Sequence, residues 1–514
     1  MRIKINIGYR RPIGLFFILY SLFISMTLVS CADIKVPERF TDIKKTPHIY
    51  PDYTDVTIPV NIAPLTFELE DSCDEVVACF TVDDYELVCG GRAVQPEMDE
   101  WQKLVGKALH KDINVEVFTR TNDEWKRYQP FHITVSNDSI DPWLSYRLIS
   151  PSYVAYEELT LNQRCLENYD EQVIVNNMLC SQEITGQCVN CHHYQQYNPH
   201  RMQFHARQFH GGTVIAYDGK LRKINMRNDS ILSAGVYPAW HPWLPLIVYS
   251  TNQTRQSFHT RNPNKIEVYD AVSDMIAYDV EKNEVTNIEN DSTEFEVFPV
   301  WAPDGKTLYY CSAHFEFRDT VSHVSEVISR FQEIRYNIYK KSFNPDTYEF
   351  GPRELVFNAD SLNMSATLPR ISPDGRYLMF TMGHYGVFHI WHREADLYLL
   401  NLTTGQVRAM NEINSLETES YHSWSSNGRW VVFSSRRDDG NYTRPFFAHI
   451  DADGKGSKPF ELPQADPDYH RQFMKCYNIP EFMRGPVDVT PQEFASVLKA
   501  SDGEPVKYVS TLSK

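Results

Sequence analysis

The sequence predicts a mainly β protein in which a C-terminal β-propeller follows a small β-sandwich-like domain. Two observations carry this expectation. One motif returns four times between residues 237 and 435, and short alternating apolar runs fill the stretch from about 50 to 150. A third observation, Cys188-Val-Asn-Cys191-His192, bears on chemistry rather than on fold.

At the start, Arg2, Lys4, Arg10 and Arg11 precede an apolar run that includes Leu15, Phe16, Phe17, Ile18 and Leu19, the pattern of a signal peptide over residues 1–30. Ser21, Ser25 and Thr27 interrupt the run, which leaves it short for a membrane span. It ends at Leu28-Val29-Ser30-Cys31, which resembles the lipobox of bacterial lipoproteins. That resemblance implies cleavage before Cys31, lipid on its thiol, and a chain held on a membrane of the cell envelope. Ala32 stands where an aspartate would retain a lipoprotein on the inner membrane, so the same analogy favours the outer membrane.

Removing residues 1–30 takes away four positive charges and no negative ones, moving the formal charge from -17 to -21. Nucleic acid is therefore excluded as an expected partner, because phosphate binding needs basic surface. The remaining 484 residues suffice for two or three cores. Besides Cys31, Cys188 and Cys191, seven cysteines remain; the number is odd, and their pairing cannot be read from sequence, so no disulfide is assigned.

Residues 31–150 form the expected N-terminal β-rich domain. Its alternating runs include Leu65-Thr-Phe-Glu-Leu69, Val76 to Val82 and Val115-Glu-Val-Phe118, with one amphipathic helix carrying Trp101, Leu104, Val105 and Leu109. Residues 151–204 read as a connector that contains the cysteine motif.

The repeat begins at Tyr237-Pro-Ala-Trp-His-Pro242 and returns at Phe298-Pro-Val-Trp-Ala-Pro-Asp-Gly305, Leu368-Pro-Arg-Ile-Ser-Pro-Asp-Gly-Arg376 and Tyr421-His-Ser-Trp-Ser-Ser-Asn-Gly-Arg429. The spacings are 61, 70 and 53 residues. Each copy is a strand, a tight Asp-Gly or Asn-Gly turn and a second strand, followed by another hairpin. Units of this kind repeated radially make propeller blades. At these residues the chain resembles the TolB-type propeller repeat, with Ser372-Pro-Asp-Gly-Arg376 the best match, over roughly residues 205–465. The resemblance implies six blades; four are clear in the sequence, with one further hairpin from Thr213 to Ile224. Residues 466–514 read as a C-terminal extension.

Cys188-Val-Asn-Cys191-His192 has the spacing of c-type haem attachment, where two thiols bond the porphyrin vinyl groups and the adjacent imidazole binds the iron. On this reading one haem c is attached at Cys188 and Cys191, with His192 as proximal ligand. Its sixth ligand is sought in order among His210, His205 and Met202. A segment of TolB-like lipoproteins in which Cys-x-x-Cys-His precedes His-Gly-Gly-Thr is similar to this stretch and adds to the haem reading. The alternatives are zinc, with ligands drawn from His193, His200, His205 and His210, or a purely structural motif.

No catalytic residue is assigned. Gly305-Lys-Thr ends like a phosphate loop but lacks its first glycine, and no nucleophile elbow or His-Glu-x-x-His occurs. His384, His389, His392, Glu394 and Asp396 cluster in sequence and read as blade-mouth structure, with metal binding or channel lining as the alternative, and Arg436, Arg437, Asp438 and Arg444 as a solvated or salt-bridged loop. Three functions are open: an electron-transfer or haem-bearing interaction protein, a protein- or polymer-binding module, and, with least support, an enzyme. Each leaves a redox or envelope-protein partner to be found.

Overall fold

The computed structural model describes residues 34–151, 157–181, 186–318 and 322–513. Cys31, its lipobox and the signal peptide lie outside the described residues.

The fold is mainly β, and four propeller blades stand where the four repeats stand in the sequence. From inside outward, blade 3 is Val236–Trp240, Leu246–Phe258, Ile266–Asp279 and Glu284–Glu289; blade 4 is Glu294–Trp301, Thr307–His314, Asn337–Asn344 and Glu349–Phe357. Blade 5 is Ser365–Ile371, Tyr377–Gly383, Asp396–Asn401 and Val407–Ala409; blade 6 is Glu419–Trp424, Trp430–Ser435, Arg444–His449 and Phe460–Glu461.

Two further units complete the ring. Blade 2 is Gln187–Tyr194, Met202–Gln208, Gly212–Tyr217 and Lys220–Asn225. Blade 1 is composite: Trp143–Ile149, Thr160–Cys165 and Glu171–Asn176 are consecutive, but the innermost strand is Cys476–Met483, paired antiparallel to Trp143–Ile149. The stretch 151–204, expected as a connector, thus supplies three blade strands, and the segment after residue 466 supplies the strand that closes the ring.

The six units share one irregularity. Every innermost strand shifts register at one place, and a residue there has positive φ: Cys191 (55°), Tyr237 (48°), Phe298 (56°), Leu368 (54°), Tyr421 (45°) and Ile479 (54°). Positive φ is costly for bulky side chains, so its recurrence marks a designed β-bulge. Proline follows at positions 238, 299, 369 and 480, where it sacrifices no ladder donor; His192 and His422 take its place in blades 2 and 6. Three residues beyond the bulge come the side chains that wedge blades together, among them Trp301, whose Nε1 donates to the Ala239 carbonyl at 3.2 Å.

The turn chemistry explains the repeat's signature. Asp374 accepts from the Ser372 hydroxyl (2.6 Å) and the Arg376 amide (3.1 Å), while Gly375 takes φ 74°. Asn427 does the same for Ser425 and Arg429, and its amide also donates to the Ser139 carbonyl of the N-terminal unit at 2.7 Å. Blade 3 lacks the Asp-Gly pair, and there His241 Nδ1 accepts from the Trp243 and Leu244 amides.

The N-terminal unit holds one seven-stranded sheet running Thr41–Asp42, Glu124–Arg127, Asp112–Thr121, Glu75–Val82, Tyr85–Gly91, with Phe131–Ser136 and Thr57–Pro59 branching from Asp112–Thr121. The second layer of the expected sandwich is supplied instead by the helix Met98–Lys107 and by blade 6. Trp101, Phe80 and Val115 belong to the same buried cluster as Trp430, Phe447, Phe460 and Phe482. Leu109 falls past the helix end and is 40% exposed, so Trp101, Leu104 and Val105 alone make the buried face. Beyond the ring, the helix Pro491–Ala500 starts at a Thr490–Glu493 capping box and packs Phe494 and Leu498 on blades 1 and 2. The tail then pairs with the outer edges of blades 2 and 3.

Candidate functional site

A cavity of about 1140 Å³ opens where the inner strands of blades 2 and 3 begin. Arg147, Arg207, Lys223, Arg227 and Arg255 line it against a single carboxylate, Asp502. Among the described residues, Arg207, Arg227 and Arg255 have no carboxylate within 4.0 Å. Lys223 Nζ is spoken for, donating to the carbonyls of Leu498 (2.9 Å) and Ser501 (2.8 Å).

Three of the residues picked out in the sequence face this space: Cys188, His205 and His210. His205 lies mid-strand with Nδ1 3.0 Å from the Thr213 hydroxyl. Burial, and after it the charges of Arg207 and Arg227, pushes its pKa down to about 3, so the ring is neutral. His210 sits at φ 53° on the turn between Met202–Gln208 and Gly212–Tyr217, against the Phe209 ring. Met202 is fully buried in the core shared by blades 1 and 2 and does not reach the cavity.

Cys191 and His192 lie elsewhere. Cys191 is the bulge residue of blade 2, 2% exposed; burial raises its thiol pKa, and the Arg207 guanidinium beside it opposes that. His192 is also 2% exposed, enclosed beside Arg147 and Ile479 of blade 1. Burial first, and then Arg147, lowers its pKa to about 3, opposed by the Ile479 backbone, and among the described residues neither ring nitrogen has a partner in good hydrogen-bond geometry.

Haem c needs both thiols at the porphyrin edge and the histidine under the iron, all facing one space. Here only Cys188 opens on a cavity, while Cys191 and His192 occupy the positions that Tyr237-Pro238 or Tyr421-His422 hold in other blades. The arrangement does not fit covalent haem. The zinc alternative scatters in the same way: His200 is exposed near Asp488, and His193 lies at the far end of the inner strand. Among the described residues no three His, Cys, Asp or Glu side chains converge as ligands would.

The other clusters are structural. His392 Nε2 lies 3.0 Å from Glu267, both nearly solvent-free, and His389 joins Thr367 and the Tyr385 carbonyl. Of the arginines expected in a solvated or salt-bridged loop, Arg437 does pair with Glu419 of its own blade at 3.1 Å, whereas Arg436 and Arg444 turn inward. Arg436, 1% exposed, stacks 3.5 Å over the Trp391 ring and donates to the Ile390 carbonyl, while Arg444 donates to the carbonyls of His470, Phe473 and Lys475.

The basic cavity was missed in the sequence because its cations come from three places: Arg147 on blade 1, Arg207 and Lys223 on blade 2, and Arg227 and Arg255 around the entry to blade 3. The bulge was legible in principle, since Tyr421-His422 repeats the pattern of Cys191-His192.

No family model matches the chain, and no curated protein does. Among solved structures it is similar to a prolyl endopeptidase, at 11% identity and TM-score 0.32, over 63% of this chain and 42% of that one. Prolyl oligopeptidase B from Galerina marginata is similar at 10% identity and TM-score 0.33, over 68% and 42%. A DUF4784 family protein from Bacteroides caccae is similar at 6% identity and TM-score 0.28, over 70% and 94%. The chain thus spans about two-fifths of the length of the prolyl peptidases it matches. Its own strand order, not these low-scoring likenesses, makes it a propeller.

Proposed function

We propose that this protein is a non-enzymatic binding propeller of the cell envelope, tethered by lipid at Cys31, whose basic cavity takes an anionic group of an envelope polymer. One observation carries the reading: five cationic side chains against one carboxylate around a cavity of about 1140 Å³, in a chain of net charge -17. A local field opposite in sign to the whole molecule concentrates anions there while the rest of the surface repels them. A low-dielectric wall strengthens that attraction.

Calorimetry of the full chain with dextran sulfate and with uncharged dextran tests this reading. Binding of the sulfated polymer alone, weakened by added NaCl and lowered about tenfold in Arg227→Gln/Arg255→Gln, is the expected result. Equal binding of both polymers, or a double variant that binds unchanged, overturns it.

The electron-transfer reading draws on the motif spacing and on Cys188 at the cavity; the enclosure of Cys191 and His192 weighs against it. Expression in a host with haem-attachment machinery, followed by a pyridine haemochrome spectrum, separates the two. A haem-free product is expected. Covalent haem that disappears in Cys188→Ala would restore the haem reading.

A further inference from the structure

At the opposite end of the inner strands, two residues past each bulge, six side chains converge on one small space of about 150 Å³: His193, Ala239, Val300, Arg370, Ser423 and Glu481. Each comes from a different blade, so this space is the neck of the ring's axial channel. The small residues at 239, 300 and 423 leave it open, and a cavity of that size admits a molecule as large as benzene.

Its charges are unmatched. Arg370 and Glu481 face the same space, yet no ion pair joins them. The Arg370 Nη1 donates to the carbonyl of its neighbour Pro369 at 3.1 Å. The nearest basic atom to Glu481 is His193 Nε2, 3.7 Å from Oε1, and the pair is only 15% and 21% exposed at Glu481 and His193. Glu481 Oε2 and His193 Nδ1 have no hydrogen-bond partner among the described residues. Unpaired polar groups this enclosed are costly unless something fills the gap.

We propose that the channel neck is a second binding site, for a small zwitterion of the α-amino acid class, with Arg370 holding its carboxylate and Glu481 its ammonium. A simple anion would meet Glu481, a simple cation would meet Arg370, and a neutral molecule would leave both groups unsatisfied. A molecule carrying both charges about one amino acid apart satisfies the two together, and Ala239 and Val300 offer apolar wall to a short side chain. Without a bound partner, burial works against both charges: it pushes Glu481 up to about 8, opposed by Arg370 and by the Tyr194 amide at 3.4 Å from Oε1, and it lowers Arg370, so a bound ammonium would draw the proton off Glu481 and supply the countercharge that the empty neck lacks. The site shares no residue with the basic cavity and stands independently of the reading given above.

Calorimetry on the full chain compares glycine, L-alanine and L-serine with propionate and ethylamine, which each carry one of the two charges. At least one of the amino acids is expected to bind about tenfold or more tightly than either single-charge analogue. Arg370→Gln and Glu481→Gln are each expected to abolish that preference, and Ala239→Phe to block binding. The wild-type comparison decides the matter even where a variant fails to fold. Equal affinity for amino acid and analogues, or no saturable binding of any of the three amino acids up to about 10 mM, overturns the proposal.

Discussion

Trp430, on the second strand of blade 6, donates its indole Nε1 to the backbone carbonyl of Asp138 at 2.8 Å, tying the propeller to the N-terminal unit. Trp430 is fully buried and belongs to the cluster that both units share. Trp430→Phe keeps most of the apolar contact but strands the Asp138 carbonyl, and is expected to cost about 1–3 kcal/mol in denaturant unfolding. A variant with an unchanged midpoint would show that the two units do not depend on this joint.

Asn427 tests the same joint from the repeat side. The turn itself needs only an acceptor, which aspartate supplies in the other copies, but the Asn427 amide also donates to the Ser139 carbonyl. Asn427→Asp is therefore expected to destabilise by about 1 kcal/mol, although it restores the more common repeat residue. Equal stability by chemical denaturation would mean that the turn alone decides the residue.

The two thiols of the cysteine motif should differ in reactivity. Cys188 opens on the cavity and Cys191 is 2% exposed. Maleimide labelling of the native protein, read by peptide mass mapping, is expected to modify Cys188 within minutes and Cys191 only after unfolding. Equal labelling of both would contradict the placement of Cys191 inside the blade.

Glu296, on the inner strand of blade 4, is wholly buried, and among the described residues no other residue hydrogen-bonds its carboxylate oxygens. Burial first, then Glu289 and Asp274, raises its pKa from 4.5 to about 9. Between those values the folded chain holds a proton that the unfolded chain has lost, so this group's contribution falls as pH rises, by at most about 1.4 kcal/mol per pH unit. Glu296→Gln is expected to gain stability over wild type at pH 8 and to lose that advantage near pH 4.5. A stability difference that does not change with pH would rule this out.

Blades 3 to 6 were legible because each carries strand, turn and strand in one short stretch, and Asp374-Gly375 or Asn427-Gly428 announces the turn. Blade 1 was not, because its strands are more than three hundred residues apart in sequence and Trp143–Ile149 carries no turn signature. The cysteine motif shows a different limit. Spacing alone suits haem at Cys188, Cys191 and His192, but spacing does not reveal a bulge that sends neighbouring side chains to different surroundings. The channel neck was hidden for a related reason: His193, Arg370 and Glu481 meet only because the ring closes.

That closure sets an order of events. Trp143–Ile149 belongs to the first blade to be synthesised, yet its inner neighbour, Cys476–Met483, is made only after the strands of the other five blades. Until that strand docks, the first blade presents an open edge, ready to pair with any passing strand, including one from another copy of the chain. The nascent protein therefore carries an aggregation hazard at its oldest blade. A chain stopped before residue 476 would leave that hazard permanent, with five complete blades and a gap where the sixth should close.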